Sequence, residues 1–396
     1  MWHDTTVNGE ILIIGGGVVG MALGWRLRLE GARVSIVERG SCGGAAVTAS
    51  AGLVQAAPDV TGKHPELLAL TNPARRAWRE FAREIEAASG IPLGYGTRGL
   101  LVVSLDESED ALLDAREARY REHSLPVERL TAGAARRKEW SLGPAVRSAL
   151  WLKEDAWVNT AALGLALTEA FRRAGGRTYE RETVIAIEQD GSRVRGARTR
   201  SRLISAETIV LAAGAWSARL ATAELGPDAI RPSRGQSLLF ESRDARGAAL
   251  LQRAVSSPSV WAVPQNDGAL WAGGVKESAD LVGSYDPEPR AETTARIREA
   301  LERLISGSRE LALREARVGH PSRTADGLPI LGASSRIAGL YYATGHHKTG
   351  IVLADETARI LAPLILRGER DPRLAPFGVE RLRLSSARPS RDSSRS

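Results

Sequence analysis

With 396 residues, 43% of them apolar, the chain can bury a sizeable core and has room for two or three lobes. Lys and Arg total 54 against 47 Asp and Glu, a net +7, but the charges are interspersed; this describes a solvated Arg-rich surface and argues against a nucleic-acid track. One cysteine, Cys42, excludes an intrachain disulfide, no Cys/His cluster offers a metal site, and the usage suits a reducing cytoplasm.

In chain order, residues 10–14 read as a buried strand. The apolar run 11–23 is too short for a bilayer span, is broken by glycines and lacks a basic leader, so neither a transmembrane segment nor a signal peptide is expected. A glycine turn leads to a helix over 18–30 with one apolar face, closed by Gly31, and to a second strand over 32–38. Helical periodicity returns at Pro65–Ser89. Residues 98–105 read as a strand, Glu107–Glu122 as a polar helix and 161–174 as an amphipathic helix. A β-meander follows over 183–188, Arg193–Thr199 and Leu203–Ser205, with Asp190-Gly191 as its hairpin turn. Residues 207–213 form a buried strand, 231–276 a series of short strands, 292–304 a helix, Leu340–Thr344 a buried strand and 350–366 a final helix. Nucleotide-type elements thus stand at both ends around a strand-rich insert. The Arg/Ser-rich end, 377–396, reads as a disordered tail.

Gly15, Gly17 and Gly20 match G-x-G-x-x-G. The first permits a tight turn, the second lets a phosphate approach the backbone, and the third lets helix and strand pack closely. The helix start, at Val18 and Val19, then offers N–H groups to a pyrophosphate. Glu38, eighteen positions past Gly20 at the end of the second strand, can accept hydrogen bonds from a ribose. This is a dinucleotide site, and it does not by itself separate NAD from FAD. The segment Thr208-Ile-Val-Leu-Ala-Ala-Gly-Ala-Trp-Ser217 is similar to a second FAD-contact strand. Gly345-His-His-Lys-Thr-Gly350 links a buried strand to the last helix, whose N-terminus can stabilise negative charge on a reduced flavin.

With these landmarks in order, the chain resembles the D-amino-acid oxidase superfamily of FAD enzymes, most closely its glycine oxidase branch, over about residues 9–370. Further carriers are Ala49-Ser-Ala-Gly-Leu53, Gly94-Tyr-Gly-Thr-Arg-Gly-Leu-Leu101, Glu154-Asp-Ala-Trp-Val-Asn159, Pro232-Ser-Arg-Gly-Gln236 and Thr324-Ala-Asp-Gly-Leu-Pro-Ile-Leu-Gly332. The resemblance implies an α/β, two-domain fold, a Rossmann-like FAD-binding domain with an inserted antiparallel-sheet substrate domain. It assigns 8–90, 155–225 and 315–370 to the first and 91–154 and 226–314 to the second. It implies FAD contacts at Gly15, Gly17, Val18, Val19, Gly20, Glu38 and Arg39, at Ala49, Ser50, Ala51, Gly52 and Leu53, and at Val184. Later contacts fall on Ala213, Gly214 and Trp216, and on Gly345, His347, Lys348, Thr349, Gly350 and Ile351. The implied chemistry moves a hydride from the amine-bearing carbon to flavin N5. The imine then hydrolyses, and O2 or an electron carrier takes the electrons. Positioning does most of the work, so the lack of a catalytic triad is no objection.

The substrate end departs from the family. Where a carboxylate-gripping Arg is expected, within Gly319-His-Pro-Ser-Arg-Thr-Ala-Asp-Gly327, stands Pro321; Arg323 lies two positions on and His320 one before. A tyrosine anchor is replaced by Trp261. Either Arg323 or Arg317 swings in for an amino acid, or the substrate lacks that carboxylate and is held by Trp261 and the histidines. The expectation taken is an amine oxidase whose substrate is not free glycine. His346, His347 and Lys348 are the catalytic candidates, and adjacent histidines do not suit a metal. Covalent tethers used by relatives are absent, so FAD is expected to be non-covalent, with Cys42 as inert packing. A D-amino-acid dehydrogenase, an NAD enzyme and a flavoprotein altered in catalysis are the competing readings. Oligomeric state is left open.

Overall fold

Ile11–Ile14 are all buried, and this strand lies at the centre of a six-stranded sheet. Thr208–Leu211 and Val34–Val37 flank it in parallel register, Ile11 opposite Thr208 and Val34. Arg177–Tyr179 extends one side and Leu340–Thr344 the other, both parallel; Ile330–Ala333 closes that edge antiparallel. The structure is a computed structural model that describes residues 9–57, 64–221, 224–241, 250–265 and 267–382.

One face of this sheet is covered by four helices, Val18–Leu29, Pro65–Ser89, Thr160–Arg173 and Ala354–Arg367, which share one apolar core. The first helix lies beneath the others, so it is buried nearly all round instead of along the single face that its sequence suggests. The loop after the second strand meets the third of these helices backbone to backbone: a Cβ on Gly43 would lie 2.2 Å from Gly164 O, and one on Gly164 2.0 Å from Gly43 O. The other face carries the meander Val184–Asp190, Arg193–Thr199 and Leu203–Ser205.

An eight-stranded sheet forms the second layer. Its order runs Leu313–Gly319, Gly235–Phe240, Leu270–Gly273, Trp261–Pro264, Val255–Ser256, Leu100–Ser104, Ser148–Leu152, Glu128–Thr131. All neighbours are antiparallel except Val255–Ser256 beside Leu100–Ser104. Ala291–Leu304 packs on one face and Glu107–Glu122 on the other.

Three expectations are corrected. The strand Leu313–Gly319 pairs with Gly235–Phe240, so the chain from 315 to 319 stays in the second sheet. The last helix starts at Ala354, not 350, because a turn over 345–353 precedes it. The tail does not begin at 377: Phe377, Val379 and Leu382 are buried, and Arg381 pairs with Asp326 at 2.7 Å. Those apolar side chains give the segment a core to join; residues 383–396 lie outside the described residues. Among the described residues no helix is long and apolar enough to cross a membrane.

Candidate active site

The glycine loop has three distinct steric situations. Gly15 has φ +112°, and a Cβ there would lie 2.4 Å from Ala212 O. A Cβ on Gly20 would lie 2.1 Å from Gly15 O, so this glycine seats the helix on the strand. Gly17 alone faces open space, with nothing within 4 Å of its ideal Cβ. It caps Val18–Leu29 without a side-chain hydrogen bond, leaving the N-terminal donors facing the open side. The Glu38 carboxylate beside it accepts from Gly16 N–H at 2.9 Å and Gly40 N–H at 2.8 Å. Open space at the second glycine, a free helix start and an anchored carboxylate fit a pyrophosphate with its ribose. Val18 is partly buried here, whereas the Val19 side chain points into the core, which leaves only its backbone to meet a cofactor.

Three further segments converge on this loop. Ala212 N–H donates to Ile14 O at 2.9 Å, which brings Ala213 and Gly214 beside Gly15. Trp216 follows, with the Arg39 guanidinium 3.4 Å over its ring. Glu182 N–H bonds Glu38 O at 2.9 Å, two residues before Val184. A Cβ added to Gly350 would lie 4.0 Å from a Val18 methyl, and Thr344 Oγ1 donates to Gly214 O at 3.1 Å, so the Gly345–Ile351 turn closes the same site.

A cavity of about 1070 Å³ opens next to it, between the two sheets. Ala49, Ser50, Ala51 and Leu53 line it, as do Trp261, Arg323, His347, Lys348 and Ile351. The Ala49–Leu53 segment is held from the second sheet: Ser237 Oγ donates to Ala49 O at 3.0 Å and Trp271 Nε1 to Ser50 O at 2.9 Å. Gly52 turns the chain so closely against Val158 O that a Cβ would lie 2.1 Å away. Trp261 lies across Gly273 and Gly274, where added Cβ atoms would meet its ring at 2.7 and 2.6 Å. Those two glycines seat the ring; their part was not visible without its partner.

The predicted substrate residues separate. Arg323 is exposed at the cavity wall, and no carboxylate among the described residues lies within ion-pairing distance of it. Arg317, the other replacement candidate, pairs with Glu315 at 2.5 Å and donates to Thr48 O at 3.1 Å, outside the cavity lining. His320 is turned away. Its Nε2–H donates to Asp286 O at 3.0 Å, its ring meets Trp216 edge-on at 5.8 Å, and burial lowers its pKa. His346 is also off the cavity: it is buried, with Nε2 3.0 Å from Thr357 Oγ1, and its backbone bridges Arg323. Thr349 Oγ1 donates to His346 O at 2.7 Å and fixes the turn. His347 does line the cavity. It has φ 48°, a strained conformation for a non-glycine residue, and burial pushes its pKa down to about 4, with Lys348 and Arg323 adding to the effect. Cys42 is buried, and burial, helped by Glu180 and Glu38, pushes its thiol up to about 12. Residues that the sequence did not single out also line the cavity, among them Gln55, Arg116 and Lys276.

A family model described as FAD dependent oxidoreductase matches residues 10–364. The glycine oxidase of Geobacillus kaustophilus is 30% identical over 375 residues, 94% of this chain and 97% of that protein. The bifunctional protein ThiO/ThiG of Nostoc sp. is also 30% identical; there the match takes in 94% of this chain but only 55% of the longer protein. The crystal structure of glycine oxidase from Geobacillus kaustophilus superimposes with a TM-score of 0.86 at 29% identity, covering 94% of this chain and 98% of that one. The open glycine cradle, the anchored Glu38 and the match over most of the length agree, and the chain belongs to the family of FAD dependent oxidoreductases.

Proposed function

We propose that this oxidoreductase binds FAD non-covalently and oxidises the C–N bond of an amine or amino acid other than free glycine, giving an imine that hydrolyses, with O2 as acceptor. One observation carries the reading: the small-residue segment, Trp261, Arg323 and His347 meet in one cavity beside the dinucleotide cradle. FAD, when bound, supplies the hydride acceptor at N5. The chain's own groups bind and orient. Arg323 offers a guanidinium to an acidic group on the substrate, in place of the donor that Pro321 lacks. Trp261 supplies a flat apolar wall. His347, pushed down to about 4 by burial, is uncharged at neutral pH, so there it positions and holds no proton of the amine. The buried, neutral Cys42 offers no tether and fits a reducing compartment, the cytoplasm. The glycine oxidase names of the relatives support the reaction class.

The test is an anaerobic screen of amines and amino acids against the purified protein, read as bleaching of the flavin. A compound larger than glycine should bleach it, and glycine and sarcosine should not. Robust turnover of glycine would overturn the substrate assignment. Peroxide formed in air separates O2 from a carrier as acceptor, and acid precipitation should leave the flavin in the supernatant.

A further inference from the structure

The strand Leu53–Val54 alternates as a strand must. Val54 is fully buried in the helical core, while Leu53 and Gln55 on either side of it line the cavity. Gln55 is 7% exposed, and its amide Nε2 has no hydrogen-bond partner among the described residues. An amide donor sealed from water without an acceptor is the costly half of a hydrogen bond, and native structures keep few of them. Nε2 is sealed as the amide stands, and a half turn that exchanges oxygen and nitrogen would present the donor to the cavity. The backbone that follows Gln55 is held in place from behind. Ala56 N–H donates to Asp155 Oδ1 at 3.3 Å, Thr71 Oγ1 donates to Ala56 O, and Asp155 accepts from Tyr120 OH at 2.6 Å.

The same wall carries charge. Arg116, half-buried on Glu107–Glu122, lines the cavity with Leu113 and Trp261, and those two belong to the cluster that packs Ala56. The cavity lining holds six cationic side chains and two acids. Both acids are already taken, Glu277 by Arg234 and Asp228 by Arg231 at 2.8 Å. Arg323 stands beside His347, on a different segment from Gln55 and Arg116.

We propose that Gln55 and Arg116 form a second anion-binding subsite, and that the substrate is an amino acid or amine bearing an additional carboxylate-type anion, met at this end while Arg323 meets the first. The assignment rests on the reading of the cavity as the substrate site. It places specificity for a doubly acidic substrate in two side chains that leave the reacting end untouched.

Non-oxidisable acids test it on the holoenzyme, with the flavin absorption spectrum as the reporter. Glutarate should bind roughly tenfold or more tightly than acetate, as expected of one added charge-assisted hydrogen bond. Gln55→Leu and Arg116→Gln should each erase most of that preference, and Gln55→Asn, which keeps an amide, should retain part of it. Equal affinity of the wild type for both acids would overturn the proposal. So would a Gln55→Leu protein whose flavin spectrum or FAD affinity has changed, because the amide would then serve the cofactor. Failure of every amine to bleach the flavin, with the glutarate preference intact, would sink the amine-oxidation reading and with it the amine identity of the substrate, and leave the anion subsite of Gln55 and Arg116 standing.

Discussion

Single atoms decide the cofactor loop. Gly17→Ala adds a methyl to open space, so the fold should tolerate it within about 1 kcal/mol, while the methyl occupies the path of a phosphate. Gly20→Ala drives a methyl to 2.1 Å from Gly15 O and should cost about 1–3 kcal/mol of stability. The expected outcome is a Gly17→Ala protein with a near-normal melting temperature without FAD but an FAD affinity reduced roughly tenfold or more, and a Gly20→Ala protein that melts early with or without it. Equilibrium dialysis and thermal melts of the apoprotein check both.

The histidines set a pH dependence. Burial pushes His346 and His347 down to about 4 from an ordinary 6.5. Between those values the unfolded chain binds more protons, so the stability they contribute is present above about 6.5 and is lost as pH falls to about 4. Asp155 runs the other way. Burial pushes it up to about 6, so its contribution is present below its ordinary 3.8 and is lost as pH rises through 6. The melting temperature should fall on acidification from 6.5 to 4, less steeply in His346→Gln and more steeply in Asp155→Asn.

At the scale of elements, strands and helices with a marked period were legible in the sequence. Pro65–Ser89, Glu107–Glu122, Arg193–Thr199, Leu203–Ser205 and Leu340–Thr344 match their expected bounds. The strands Glu128–Thr131 and Ser148–Leu152 were not legible, because their patterns are short and their partners distant in sequence. The late turn was misjudged because an apolar helical period runs through 350–353, although the backbone there is spent on Trp78 Nε1, which donates to Ile351 O at 3.1 Å. Of the site, the glycine loop and Glu38 could be read because their roles are local. Gln55, the Gly273–Gly274 seat and the diversion of Arg317 to Glu315 could not, because each depends on a residue brought in by the fold.

In the whole molecule, the cofactor cradle belongs to the first sheet, and the cavity is shared with the second. The Gly43–Gly164 contact shows how far that cradle extends. In an exposed helix, Gly164→Ala would be a gain of about 1 kcal/mol. Here the new methyl would displace a loop whose Cys42 packs on Gly16 and whose Gly43 N–H bonds Gly16 O at 2.8 Å. The variant should fold and yet shed its flavin several-fold faster on dilution, a rate followed by the rise in free-flavin fluorescence. Residence time of the cofactor is then governed from a helix that packs behind the glycine loop, and a substitution that helix propensity scores as an improvement becomes a release mutation.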